Sequence, residues 1–116
     1  MSTYMLILRR NQTNELGLPQ EEMFGRFRDF TVSLHQSGAL KSFERLKAAS
    51  EGTTTRRLDG AIAVDGPYDG STESVIGFYL VEAVDVAAAQ TIAKDCPILL
   101  AGGSVEIRET EFFPGQ

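Results

Sequence analysis

Asp65 is the residue of this chain best suited to moving a proton. It opens the run Asp65-Gly66-Pro67-Tyr68, in which Gly66 loosens the backbone and Pro67 stiffens it. A carboxylate on a fixed turn over a partly apolar pocket has its charged form disfavoured, and can then act as a general acid or base. The same carboxylate can instead cap the turn by accepting backbone N–H bonds, as Asp commonly does before Gly. Both roles are open to it. Tyr68 and Tyr79 carry hydroxyls that can donate to a ligand, or that can be satisfied inside the fold while the rings pack.

The other reactive side chains point to less. His35 is the single histidine, a residue type that could serve as a base. It stands beside an apolar stripe at the end of a helical pattern, where a cation is favourable in its own right. No spaced partner makes it part of a catalytic pair. Cys96 precedes Pro97 with nothing nearby to stabilise a thiolate, so it reads as a small apolar group. One cysteine and one histidine exclude an internal disulfide and a cysteine metal cage, and no carboxylates are spaced for a hard cation. No metal and no cofactor are expected. Ala101-Gly102-Gly103-Ser104 leads into a strand rather than a helix, so it is no phosphate loop. Arg57 is a solvated hairpin charge before it is an anion ligand.

These residues must be positioned by a chain of 116 residues, long enough for one domain, here 1–116, with a core that needs no staples. Apolar residues make up 42% and charged residues 23%, ordinary values for a globular protein. The net charge is −5, and the 11 Lys and Arg are scattered apart from Arg9-Arg10 and Arg56-Arg57. Nucleic-acid binding wants a basic face, which is missing. No apolar run approaches the roughly 20 residues of a membrane helix, and no basic segment leads into an apolar secretory core. A cytoplasmic protein with no membrane partner is expected.

Tyr4-Met5-Leu6-Ile7-Leu8 is short and apolar on both sides, a buried strand. After polar Asn11–Leu18, Pro19 stands where a helix begins, with Glu21 and Glu22 in its first turn. Met23, Phe27, Phe30 and Leu34 form one helical stripe, ended by Gly38. Gly25 inside that helix costs about 1 kcal/mol against Ala, which suggests a close contact there. Residues 39–46 fit a strand or irregular structure equally. Asp59-Gly60 between Thr53–Leu58 and Ala61–Val64 is a hairpin turn, because both central residues need positive φ. Asp65–Thr72 reads as a loop, Val75–Ala83 as the central strand, and Asp85 as the N-cap of a helix over Val86–Lys94 that Pro97 stops. Val105–Glu109 alternates like a half-exposed strand, and residues 111–116 form a loose tail.

Two helices and a mainly antiparallel sheet predict an α+β sandwich of the ferredoxin-like kind. The central strand is apolar on both faces, with Ile76, Phe78 and Leu80 on one and Val75, Tyr79 and Val81 on the other. Two helices cover one face only. The cheapest cover for the second is the same face of another copy, so a homodimer with sheets packed face to face is expected. A charge at Tyr79 or Val81 is expected to break it.

Asp65-Gly66-Pro67-Tyr68, Gly77-Phe78-Tyr79-Leu80, the Ala-rich helix and Gly103-Ser104-Val105-Glu106-Ile107-Arg108 together resemble the YCII-related family, and within it the DGPF branch. The resemblance runs from Tyr4 to Arg108. It implies a dimeric α+β barrel. It also implies a family in which few activities are assigned, in which some members accompany sigma-factor-like transcription proteins, and for which a His–Asp pair is the proposed active site. Asp65 matches that aspartate. The family's histidine lies early in the first helix, where this chain reads Glu22-Met23-Phe24-Gly25-Arg26. Two functions follow. In the first, a small polar organic ligand binds near the Asp65 turn, with Gly66, Pro67, Tyr68 and Tyr79 lining the site and Asp65 assisting proton transfer or elimination. In the second, the domain is a non-catalytic accessory or interaction module linked to transcription regulation.

Overall fold

The computed structural model describes residues 1–10, 17–68 and 73–115. Strands β1 (Ser2–Arg10), β2 (Leu40–Arg45), β5 (Ser74–Ala83) and β6 (Ser104–Glu109) form one sheet in the order β2-β5-β1-β6, with every pair antiparallel. Helix α1 (Gln20–Gln36) links β1 to β2, and α2 (Val86–Lys94) links β5 to β6. Each connection skips one strand, which is the interleaved double βαβ of the ferredoxin-like α+β fold. Strands β3 (Thr54–Leu58) and β4 (Ala61–Asp65) form a separate hairpin.

Local chemistry sets these boundaries. The Asp85 carboxylate accepts from the Ala88 N–H at 2.9 Å and starts α2. Pro97 begins a short 3-10 segment that ends at Ala101. The β3–β4 turn has Asp59 at φ 50° and Gly60 at φ 80°, the two positive angles that Asp-Gly supplies. Residues 39–46, open between two readings in the sequence, resolve as edge strand β2. Among the described residues Gly25 has no close neighbour: a Cβ there would meet nothing nearer than Arg28 Nη2 at 3.7 Å, an ordinary contact. The described residues therefore supply no packing reason for this glycine.

The core lies between the sheet and the helices. Tyr4, Leu6 and Leu8 of β1 and Tyr79, Val81 and Ala83 of β5 are buried against Phe30 and Leu34 of α1, Ala89 of α2 and Ile98. Fully burying a side chain such as Leu6 contributes about 1.5–3 kcal/mol. Strand alternation turns Met5, Ile7, Phe78 and Leu80 to the opposite face, where each is half-buried. The expected assignment of faces is thus reversed. Tyr79 and Val81 lie beneath the helices, and Phe78 and Leu80 lie on the open side. Two apolar faces look alike in a sequence, and the helices select between them through Phe30 and Leu34. Among the described residues, no helix is long and apolar enough to cross a membrane.

Candidate functional site

Tyr79 sits at the centre of the helix-covered face and is 5% exposed. Its ring meets Phe30 edge-on with centroids 5.2 Å apart, and stacks on Phe43 of β2 at 5.5 Å. Its hydroxyl lies 2.8 Å from Thr31 Oγ1, and Thr31 Oγ1 donates to the Phe27 carbonyl oxygen at 2.8 Å. The Thr31 hydroxyl has one proton, so Tyr79 is the donor of the pair. Burial pushes the Tyr79 hydroxyl above its ordinary value of 10.0.

This cluster walls a cavity of about 620 Å³ between the first half of α1 and the β2 side of the sheet. Leu8, Met23, Phe27 and Phe43 supply apolar wall, and Thr31 and Tyr79 supply hydroxyls. A mostly apolar concavity with a few convergent polar groups is the usual form of a small-molecule site, and such sites span about 300–1,000 Å³.

Asp65 lies elsewhere. It is the last residue of β4, its side chain is 57% exposed, and its Oδ2 is 3.8 Å from Arg56 Nε. The Arg56 guanidinium also stands over the Tyr68 ring, 5.9 Å from its centroid. Tyr68 is 77% exposed, and Gly66 and Pro67 are exposed beside it. Asp65, Arg56 and Tyr68 form a surface group at the foot of the hairpin. None of Asp65, Gly66, Pro67 and Tyr68 lines the cavity that holds Tyr79. Of the loop read over Asp65–Thr72, residues 69–72 lie outside the described residues, as do 11–16 of the polar stretch after β1.

Arg57 donates from Nη1 to the Gly60 carbonyl oxygen at 3.0 Å and so braces its own turn. His35 is exposed in the last turn of α1. Cys96 is 2% exposed, and burial pushes its thiol up to about 11, which leaves it protonated and inert at neutral pH. Among the described residues, no group of three or more His, Cys, Asp or Glu side chains could hold a metal ion.

Sequence reasoning selected Tyr79 but missed Thr31 and Phe43. Thr31 did leave a signal: a hydroxyl four residues after Phe27, at the edge of the helical stripe. Phe43 left none, because it reaches Tyr79 only through the β2–β5 register.

A family model of the YCII-related domain matches residues 3–113, so the chain belongs to the YCII-related family. No curated protein matches it.

Proposed function

We propose that this YCII-related protein binds a small polar organic ligand in the cavity between α1 and the sheet, with the Tyr79 hydroxyl as a polar contact. The observation that carries this reading is the cavity itself: about 620 Å³ of apolar-walled space with the Thr31–Tyr79 hydroxyl pair at its wall. Binding is better supported than catalysis. Asp65 is open to water, lies beside Arg56 and stands apart from the cavity that would hold a ligand. The start of α1 carries no histidine to pair with it.

Amide chemical shifts recorded while small hydroxylated aromatic compounds are titrated test the reading. Perturbations should fall on 23–31 of α1, 43–45 of β2 and 76–79 of β5. An absence of perturbation, or shifts confined to the hairpin, would overturn it. In the same experiment Asp65→Asn should leave binding unchanged. Conversion of a bound compound that this variant loses, with affinity kept, would instead assign Asp65 the proton transfer that the family resemblance implies.

The assembly that fits this reading is a homodimer. A second copy related by a two-fold axis covers Met5, Ile7, Phe78 and Leu80 and leaves the cavity of each subunit on the outer, helical side. The alternative, an accessory module without a ligand, would use the same apolar face for a different partner.

A further inference from the structure

The rim of this cavity is cationic. Arg10 ends β1 and Arg45 ends β2, and both line the cavity. Alternation fixes their side. The β1–β5 register shifts between Leu8 and Arg9, but the extra residue, Ile76, is on β5, so Arg10 stays on the side of buried Leu8 two residues before it, and Arg45 is two beyond Phe43, which stacks on Tyr79. Both arginines therefore rise from the helix-covered face at one end of the sheet. Strand β5 runs between them and presents Gly77, which pairs with Leu8 on one side and Arg45 on the other. A Cβ at Gly77 would stand 2.6 Å from the Glu44 carbonyl oxygen, so the close pairing of β2 with β5 keeps this position bare. The result is a notch with no side chain at its floor and an arginine on either side.

Two of the charges around the notch lack an ion-pair partner among the described residues. Among the described residues, neither Arg10 nor Arg45 is in an ion pair. Arg9, next along β1, faces the other way and pairs with Glu106 at 2.6 Å. Arg28 of α1 adds a third cation to the lining, with an exposed contact of 3.8 Å to Asp29. Among the described residues Glu44 is the one acidic residue of the lining, and its register with Phe78 turns it toward the open face of the sheet. In a chain of net charge −5, an apolar cavity whose rim gathers three arginines is a local reversal of sign. Guanidinium groups suit carboxylate and phosphate oxygens, and strands are about 4.8 Å apart, so two arginines on either side of one strand can close on one such group.

We propose that the notch of Arg10, Gly77 and Arg45 takes the acid group of a small amphipathic organic anion, whose apolar body lies against Met23, Phe27 and Phe43. This rests on the cavity being a ligand site and adds the charge and shape of the ligand.

Displacement of anilinonaphthalene sulfonate, followed by fluorescence, tests it on the intact chain. Octanoate should displace the dye at a concentration about tenfold below that of 1-octanol, the difference expected of a charge-assisted hydrogen bond. Raised salt should narrow the gap, because the arginines are exposed. The double variant Arg10→Gln, Arg45→Gln should bring octanoate to the level of octanol while octanol itself is unaffected. Both positions are exposed strand ends, so the variant should keep its far-UV circular dichroism. Equal displacement by octanoate and octanol from the wild type would overturn the anion assignment and leave the cavity as a neutral-ligand site. A preference that survives the double variant would overturn the role of the notch. Failure of both compounds would remove the cavity reading with it.

Discussion

The Tyr79 hydroxyl donates to Thr31 Oγ1 across 2.8 Å and ties the middle strand of the sheet to the middle of α1. Thr31 passes its own proton to the Phe27 carbonyl, so the bond is one end of a short chain of donors. Tyr79→Phe keeps the ring contacts with Phe30 and Phe43 and removes that bond. The Thr31 proton stays satisfied, so the loss should be at the modest end of hydrogen-bond contributions, about 0.5–1.5 kcal/mol in urea unfolding. A loss above about 3 kcal/mol would mean that the ring packing had also failed.

Alkaline pH should weaken the fold through two buried acids. Cys96 has its thiol raised from 9.0 to about 11, chiefly by burial, and Tyr79 is raised above 10.0 by the same cause. Between the unfolded and folded values the unfolded chain releases the proton while the native chain holds it. Stability is therefore full below pH 9 and falls as pH rises through 9 to 11 for Cys96, and from 10 upward for Tyr79. Two pH units across one group correspond to about 2–3 kcal/mol at most. Cys96→Ala should flatten the first part of the decline in urea midpoints taken at pH 8, 9, 10 and 11. An equal slope in the variant would place the titration elsewhere.

Gly25 occupies an interior position of α1 where, among the described residues, an added methyl group meets only the end of the Arg28 side chain. Its backbone is not among those with positive φ. Gly25→Ala should therefore stabilise the protein by about 0.4–1 kcal/mol, because the unfolded chain loses freedom and the helix loses nothing. Thermal unfolding measures it, and a lower midpoint would show that the glycine serves an approach by another molecule.

The elements were legible where one local signal decided them. Asp85 and Pro97 bracketed α2, Asp59-Gly60 set the hairpin, and Met23, Phe27, Phe30 and Leu34 gave the buried side of α1. β2 was not legible, because Leu-Lys-Ser-Phe-Glu-Arg is a charged edge strand whose two apolar residues, Leu40 against the core and Phe43 on Tyr79, find their partners only in the folded sheet. The cavity was legible at Tyr79 and in the Met23–Phe27 side of α1. Its strand-borne parts, Phe43 and Arg45, meet Tyr79 through strand register, and register is a property of pairs of strands. The Asp65 turn drew attention by its motif, and it sits apart from that cavity because the hairpin forms its own two-stranded sheet.

The faces of β5 give the sharpest test of assembly. Ile7 pairs with Phe78 and Met5 with Leu80, so four half-buried apolar side chains form a patch on the open side. Charged groups flank it, among them Arg9 with Glu106 and Lys41 with Glu82 at 3.7 Å. An apolar centre inside a polar rim is how a subunit interface is built. Across a two-fold axis, Phe78→Glu or Leu80→Glu would bring like charges together in a desolvated patch, at a cost of several kcal/mol. About 2.8 kcal/mol is a hundredfold in the dimerisation constant. The wild type should sediment at twice the 12.7 kDa of one chain, and either variant at the single-chain mass with unchanged circular dichroism. Tyr79→Glu and Val81→Glu should instead unfold the protein, since those positions lie under the helices. A wild type that sediments as one stable chain, or a Phe78→Glu variant that remains dimeric, would remove this face as the contact between copies.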